Sequence, residues 1–386
     1  MGSAPFCLGA SLKVHCLLLI VLLATLGQCE TTTCAAPQMR AILPSGGLCK
    51  LVERSMPSVA AGQVLLRVAW SAVNRADTLQ RRGLYPAPPG ASDLLGLEAV
   101  GVVVRHGEGV AAPAAGARLM ALLPGGGNAE YVAVSPLHCL AVPASMTLRE
   151  AAAIPETWLT AFQLLFVEGV ASRVGLEGSP LQGALAGTVV VVHAAGSGVG
   201  TAAVQLAVAA GATVVAVAGS EEKLAACAAL GAARGVNYKA GGEPGFAARL
   251  REACGAGGAN LILDPVGASF TAANAEALAL DGTWVLYGSM GGLKLSGDAA
   301  AADGLLGAIL RKRARLVGTT LRNRSGDYKA ALVERFSQAA LPLLASGVLK
   351  PVIHAELPLE DTDKAHALME GNETIGKIIL RVSGEL

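Results

Sequence analysis

The chain has 386 residues, of which 53% are hydrophobic and 15% are charged, and its formal net charge at pH 7 is +1. This length favours two domains, and the composition excludes a disordered chain or an acidic tail. The near-neutral charge argues against a nucleic-acid partner, and we expect no stable association of the body with a membrane.

Residues 1–38 are predicted to form a leader that does not belong to the fold. An apolar run at residues 16–26 follows Lys13 and His15, and small and polar residues come after it. This order is typical of a secretory signal, and the run is shorter than the roughly 18 residues that a membrane span requires. An anchor or an untranslated extension is the alternative explanation.

The cysteines of the body bear on the compartment. Four of them are scattered without a C-x-x-C pair, namely Cys49, Cys139, Cys227 and Cys254. This usage indicates a reducing compartment, whereas the leader suggests entry into the secretory pathway. An organelle reached through that pathway, such as a complex plastid, reconciles the two observations, and the cytoplasm is the alternative.

Residues 39–160, joined by residues 321–386, are predicted to form a β-rich domain. Short strand signals separated by glycine and proline suggest a compact barrel, at residues 64–70, 100–105 and 131–134. Loops are predicted at residues 74–77, 85–90 and 96–98. The C-terminal part contributes an amphipathic helix at residues 327–345 and a strand at residues 374–382 that returns to this domain.

Residues 161–320 alternate strands with helices, which predicts an α/β fold with a parallel, doubly wound sheet. The link at residues 171–186 is rich in glycine and is predicted to be a surface loop. The sheet opens with a βαβ unit at residues 188–223, whose turn leaves N–H groups free at a helix N-terminus, where a pyrophosphate can bind. Later elements are a strand, a helix and a second strand that ends in a glycine cluster, at residues 260–264, 271–280, 284–287 and 288–292.

The glycine motif of this unit is imperfect, because Ala195 and Ser197 occupy its first two glycine positions. A turn without a ligand is the alternative for such a motif. The second strand ends without the acidic residue that binds the ribose 2′-hydroxyl of NAD, and Gly219 and Ser220 stand there instead. Since Lys223 follows within a turn, we predict NADPH; a solvated surface lysine is the alternative for Lys223.

Six stretches give the body a specific resemblance to known proteins: NRADTLQRRGLYPAPPGAS, LLGLEAVG, ALLPGGGNAEYV, AAAIPETWLTAFQLL, NLILD and LALDGTWVLYGSMGG, starting at residues 74, 94, 121, 151, 260 and 278. On these residues the chain resembles the zinc-free quinone oxidoreductases of the medium-chain dehydrogenase/reductase superfamily, most closely the tumour-suppressor-inducible branch. The resemblance implies a GroES-like catalytic domain, a Rossmann domain at residues 161–320, a cofactor between them and a homodimer.

No zinc is expected. Zinc-dependent relatives supply a cysteine and a G-H-E histidine, whereas this chain has Asn74 in the corresponding loop and Leu97 in place of the histidine. No cluster of four cysteines exists in the sequence, and its six histidines show no ligand spacing. Without a Lewis acid to activate an alcohol, we expect the substrate to accept a hydride, as a quinone or an activated enone does. An alcohol that donates a hydride is less plausible.

The resemblance also implies the site residues. Asn74 and Tyr85 are expected at the nicotinamide and the acceptor, where Tyr85 donates a hydrogen bond or stacks; packing among the neighbouring prolines is its alternative. The other expected cofactor contacts are Thr160, Ser197, Gly198, Val199, Gly219, Lys223, Tyr238, Tyr287, Gly288, Gly291 and Thr374. Two other activities stay open, an NADPH-dependent enone reductase and a non-catalytic NADPH-binding protein.

Overall fold

The computed structural model describes residues 1–2, 37–169, 181–243, 245–295 and 299–384. Contacts divide the chain into Met1–Pro37 and Gln38–Leu386. The predicted leader lies outside the described residues, as does most of the predicted 171–186 loop. The described end of that loop contradicts a surface location, because Leu181 and Leu185 are buried in the core.

The body begins with a hairpin that the sequence patterns did not reveal. Strands β1 (Gln38–Ser45) and β2 (Leu48–Ser55) pair antiparallel. Both strands lack clean alternation of apolar and polar residues, and β2 is mostly exposed. Only its turn at Gly46 and Gly47, both at positive φ, marks it in the sequence.

A second, seven-stranded sheet joins strands from both ends of the body. They are β3 (Val64–Ala72), β4 (Glu98–His106), β5 (Arg118–Leu122), β6 (Tyr131–Val134), β7 (Cys139–Ala141), β14 (Ile353–Pro358) and β15 (Lys377–Arg381). Their order is β14-β15-β3-β4-β5-β7, and β6 branches from β3, so the predicted barrel is a branched sheet. The last strand returns to this domain as predicted, because β15 pairs antiparallel with β3.

A six-stranded sheet occupies the middle of the chain, and all of its pairs are parallel. Its strands are β8 (Val189–His193), β9 (Thr213–Ala218), β10 (Arg234–Asn237), β11 (Ala259–Asp264), β12 (Leu278–Leu286) and β13 (Arg315–Gly318). The order is β10-β9-β8-β11-β12-β13, so the glycine turn after β8 lies where the strand order reverses. Ligands of open α/β sheets bind at that point.

The predicted α/β fold is confirmed. Residues of β8 alternate between two cores, since Val190 and Val192 pack on one face of the sheet and Val191 on the other. The described α-helices are α1 (Arg75–Arg81), α2 (Leu148–Ala151), α3 (Pro155–Phe162), α4 (Gly198–Ala209), α5 (Glu221–Ala229), α6 (Phe246–Cys254), α7 (Thr271–Ala277), α8 (Ala299–Lys312), α9 (Gly326–Ala339), α10 (Leu341–Ala345) and α11 (Thr362–Glu370).

Three element predictions were wrong in detail. The loop predicted at residues 74–77 is the start of α1, with Asn74 as its N-cap residue. The helix predicted at residues 271–280 stops at Ala277, because the next residues pair with β11 as strand β12. The helix predicted at residues 327–345 is broken at Ala340, because Pro342, in the first turn of the next helix, cannot donate an N–H to the old one.

Among the residues that the structure describes, no helix has the length and apolar character needed to cross a bilayer.

Candidate active site

The glycine turn after β8 presents a helix N-terminus. Ser197 is the N-cap of α4, and its Oγ accepts a hydrogen bond from the N–H of Gly200 at 3.0 Å. Ser197 also forms an isolated parallel bridge with Gly376, which engages the N–H of Gly198, and the N–H of Val199 donates to no described residue. The N-terminus of this 12-residue helix fits a pyrophosphate.

The turn also has the close packing that a phosphate cradle requires. A Cβ added to Gly200 would lie 2.4 Å from the carbonyl oxygen of Ala194. A Cβ added to Gly198 would lie 2.7 Å from Cδ of Lys377 and 3.0 Å from the methyl of Thr157. Only glycine fits these two positions, so the backbone stays open to a ligand.

Lys377, the first residue of β15, joins this turn to the β-rich domain. Its Nζ donates to Oδ1 of Asn74 at 2.8 Å, to the carbonyl oxygen of Val73 at 2.9 Å and to Oε1 of Glu98 at 2.8 Å. The side chains of Lys377 and Glu98 are 4% and 0% exposed, so this is a buried ion pair. The glycine turn and the Asn74 loop therefore meet at one ammonium group.

Glu98 connects the ion pair to the neighbouring helices. Its Oε1 also accepts from Nδ2 of Asn74 at 2.8 Å, which fixes the orientation of that amide, and its Oε2 accepts from the N–H of Glu156 at 2.9 Å. Asp77 accepts from the N–H groups of Asn74 and Gly96, at 2.8 and 3.1 Å. Burial raises the pKa of Asp77 to about 6 against the lowering effect of these bonds.

Glu156, on α3, is a second carboxyl at this site. Burial raises its pKa to about 8, and the negative charge of Glu98 adds to the effect while Lys377 opposes it. In its ionised form, Glu156 also acts on the pKa of Tyr85 and of Arg322. The raised pKa favours the protonated carboxyl, which can donate a hydrogen bond.

Tyr85 is half-buried and faces Arg322. The guanidinium carbon of Arg322 lies 5.3 Å from the centroid of the Tyr85 ring, within cation–π range. Burial raises the pKa of Tyr85, so its hydroxyl stays protonated. This hydroxyl makes no hydrogen bond to a described residue. Packing among the prolines alone does not describe the environment of Tyr85, because Arg322 lies over its ring and donates to its carbonyl oxygen.

The residues predicted for the 2′-phosphate lie together. A Cβ added to Gly219 would be 2.9 Å from the hydroxyl of Tyr238 and 3.1 Å from Cε of Lys239. The stem of Lys223 packs on Gly196, and its Nζ donates to the carbonyl oxygen of Asn372. Burial and the nearby charge of Lys239 lower the pKa of Lys223, which is the effect of two cations facing one pocket.

The acidic residues of α5 do not oppose this assignment. Glu221 is engaged elsewhere, because its Oε1 accepts from Nδ2 of Asn237 at 2.8 Å. Glu222 is exposed. The pocket beside Gly219 therefore keeps two lysines.

The remaining predicted contacts line the same edge of the six-stranded sheet or the loop that faces it. The N–H of Tyr287 donates to the carbonyl oxygen of Asp264 at 2.9 Å, and burial raises the pKa of Tyr287. Gly288 and Gly291 have no room for a Cβ, which would lie 2.7 Å from Pro265 O and 2.1 Å from Ser269 Oγ. Thr374 lies two residues before Gly376, whose N–H donates to the carbonyl oxygen of Gly196 at 2.8 Å. Thr160 is half-buried on α3.

The positions that hold zinc ligands in related enzymes carry other groups. Asn74 is bonded to Lys377, and Leu97 is buried. Among the described residues, no cluster of three histidine, cysteine, aspartate or glutamate side chains is arranged to hold a metal.

Sequence reasoning missed Lys377, Lys239, Glu156 and Arg322. Lys239 carries a usable signal, because it follows β10, the strand beside β9, and the ends of neighbouring parallel strands meet. Lys377 and Arg322 carry none, since their partners Asn74 and Gln80 lie 303 and 242 residues away.

Comparison with known proteins identifies the family and the fold. A family model described as alcohol dehydrogenase GroES-like domain matches residues 60–144, and one described as zinc-binding dehydrogenase matches residues 198–338. The synaptic vesicle membrane protein VAT-1 homolog of Rattus norvegicus is 30% identical over 362 residues, which are 89% of this chain and 84% of that protein.

Solved structures share the fold. Escherichia coli quinone oxidoreductase complexed with NADPH superposes with a TM-score of 0.73 at 25% identity, covering 89% of this chain and 99% of that one. An NAD-dependent alcohol dehydrogenase superposes with a TM-score of 0.73 at 29% identity, covering 89% of this chain and 100% of that one. The predicted GroES-like and Rossmann folds are confirmed by these matches.

Proposed function

The chain belongs to the zinc-free quinone oxidoreductases of the medium-chain dehydrogenase/reductase superfamily, and on that premise we propose that it transfers a hydride from NADPH to a quinone. The observation that carries the proposal is the meeting of the glycine turn and the Asn74 loop at Lys377. It brings a pyrophosphate site and the Tyr85 side of the β-rich domain to one cleft.

When bound, NADPH supplies a hydride, which a quinone accepts without a Lewis acid. The N–H of Val199 and the N-terminus of α4, at Ser197 and Gly198, would bind the pyrophosphate. Thr160, Tyr287, Gly288, Gly291 and Thr374 line the rest of the cofactor site. Asn74, held by Lys377 and Glu98, orients the reacting end, and the Tyr85 hydroxyl donates a hydrogen bond to the quinone oxygen as negative charge develops on it.

The preference for NADPH over NADH rests on the pocket at Gly219. Lys223 and Lys239 supply positive charge, and Tyr238 supplies a hydroxyl, within reach of the ribose. Of the nearby carboxylates, Glu221 is bonded to Asn237, whereas the charges of Glu222 and Glu373 act on Lys223. This arrangement suits a 2′-phosphate and does not offer the paired acceptor that a 2′-hydroxyl requires.

The test is NADPH oxidation by the purified protein with ortho-quinones, para-quinones and α,β-unsaturated ketones. Turnover of quinones supports the proposal. Turnover of the unsaturated ketones alone identifies an enone reductase instead, and tight NADPH binding without any turnover identifies a non-catalytic binding protein.

A homodimer is proposed on the free edge of the six-stranded sheet. Strand β13 is the last strand in the sheet, and Leu316 on it is 44% exposed. Leu306 and Leu310 on α8 are 66% and 80% exposed, so an apolar surface borders an edge that another strand can join. Light scattering should give twice the monomer mass, and Leu310→Glu should reduce it to the monomer mass.

The compartment is also a proposal. The leader is proposed to direct the protein into the secretory pathway or an organelle such as a complex plastid, with the cytoplasm as the alternative. A fluorescent fusion of the full chain decides between them, because a purely cytosolic signal excludes targeting.

A further inference from the structure

A pocket of about 210 Å³ opens beside the Tyr85 loop. Its floor is formed by residues 88–91 and Pro124, and its other side by residues 322–324 and Lys329 at the start of α9. Three of the lining side chains are cationic, Arg322, Arg324 and Lys329, and the described residues that line it include no aspartate or glutamate.

Two of these cations are buried without a negative partner. Arg322 is 4% and Lys329 is 7% exposed. Arg322 donates to the carbonyl oxygen of Pro124 at 2.8 Å and to Oε1 of Gln80 at 2.7 Å, and Lys329 Nζ donates to the carbonyl oxygen of Arg322 at 2.7 Å. Within the described part of the chain, neither cation has a carboxylate oxygen within 4 Å.

The third cation differs in this respect. Arg324 is bonded to Glu168, with Nη2 and Oε1 separated by 2.7 Å. Its charge is therefore paired with a carboxylate at contact distance, while Arg322 and Lys329 make no such ion pair with a described residue.

Burying an unpaired charge is costly unless a ligand of opposite charge occupies the site. Burial lowers the pKa of both Arg322 and Lys329. The nearby acids are Asp77, which acts on Arg322, and Glu156, which acts on both cations. Burial raises the pKa of Asp77 to about 6 and that of Glu156 to about 8, and neither carboxyl forms an ion pair with either cation.

We propose that this pocket binds an anionic group, a carboxylate or a sulfonate, carried by the hydride acceptor. The proposal rests on the proposed function and names its substrate class, quinones with an acidic substituent. Arg322 links the two halves of such a substrate, because it lines the pocket and its guanidinium carbon also lies 5.3 Å from the centroid of the Tyr85 ring. With a quinone ring at Tyr85, the acidic substituent would enter the pocket that Arg322 and Lys329 line.

The experiment compares 9,10-phenanthrenequinone with its 3-sulfonate as acceptors for the full chain. The readout is the ratio of kcat/KM for the sulfonate to kcat/KM for the neutral quinone. Lys329→Met removes one charge with little change of volume and should lower this ratio about tenfold, the effect of one hydrogen bond to a charged group. Lys329→Arg should keep the ratio within about threefold of the wild-type value, and the salt-bridged surface variant Lys364→Met should leave it unchanged.

If the ratio of the two kcat/KM values is equal in the wild type and in Lys329→Met, the proposed anion site is overturned. Turnover of the quinones would still support the proposed function. If neither quinone is reduced, the proposed function fails, and the pocket is still tested by titration with naphthalene-1-sulfonate, whose Kd should rise about tenfold in Lys329→Met. Stimulation of neutral-quinone turnover by millimolar inorganic phosphate would show that a free anion is the ligand, which also overturns the proposal.

Discussion

Lys377 and Glu98 form a buried ion pair, with Nζ and Oε1 2.8 Å apart, that holds the candidate active site together. Asn74 bridges the pair, since its Oδ1 accepts from Lys377 and its Nδ2 donates to Glu98. Lys377 also packs against Gly198 of the glycine turn. One cation therefore fixes both the acceptor side and the cofactor side of the site.

We expect Lys377→Met to destabilise the protein by about 3–5 kcal/mol, because it leaves the carboxylate of Glu98 buried and unpaired. The double variant Lys377→Met/Glu98→Gln should recover much of this loss, since the charge is removed as well. Urea unfolding measures both. The exposed Lys364→Met serves as the control, and a loss of under about 1 kcal/mol in Lys377→Met would contradict the buried pair.

We expect Gly198→Ala to weaken NADPH binding by at least about tenfold. The added methyl would lie 2.7 Å from Cδ of Lys377 and 3.0 Å from the methyl of Thr157, so the turn at the α4 N-terminus would have to shift. Gly241→Ala is the matched control, because no atom lies within 4 Å of its added Cβ. Fluorescence titration with NADPH gives both dissociation constants, and equal values would exclude the turn as the pyrophosphate site.

The strands of the six-stranded sheet were predictable because their signals are local. Residues 189–192 are a continuous β-branched run, and the small residues after them are compatible with only a tight turn and a close-packed helix. Leu278 is different, because apolar residues at its position suit a helix or a strand equally well. Its pairing with Ala259 decided for the strand, which is a tertiary effect.

The candidate site was predictable only in part, for the same reason. The glycine turn and Gly219 are recognisable from spacing along the chain. The environment of Asn74 is not, because Lys377 reaches it from a strand near the C-terminus that has no unusual composition. The partner of Arg322, Gln80, likewise comes from a distant helix.

We expect Lys239→Ala to lower kcat/KM with NADPH about tenfold and to change kcat/KM with NADH by less than about twofold. The lysine adds a charge-assisted bond only to a cofactor that carries the 2′-phosphate. Lys223→Ala should act in the same direction. Steady-state kinetics with both cofactors is the measurement, and an equal loss with NADH and NADPH would place the lysines outside the 2′-phosphate site.

Glu156 should make stability depend on pH between about pH 4.5 and pH 8. Its pKa is about 8 in the folded protein and about 4.5 in the unfolded chain, so the folded state retains a proton that the unfolded state has lost. Stability therefore falls as pH rises through this window, by about 1 kcal/mol per pH unit or less. Asp77 acts in the same direction but below its folded pKa of about 6.

Glu156→Gln should flatten this dependence, because the amide does not titrate. Urea unfolding of both proteins at intervals from about pH 6.5 to pH 8 measures the difference. Parallel curves for the wild type and the variant would mean that Glu156 is ionised in the folded protein.

Hydride transfer from NADPH to a quinone is measured by the rate of NADPH oxidation at 340 nm, with 9,10-phenanthrenequinone as the acceptor. We predict quinone-dependent oxidation by the wild-type protein that falls at least about tenfold in Gly198→Ala and not in Gly241→Ala, because only the first added methyl meets protein atoms and displaces the turn at the helix N-terminus. The proposed function is contradicted if the wild-type protein binds NADPH but shows no quinone-dependent oxidation of it.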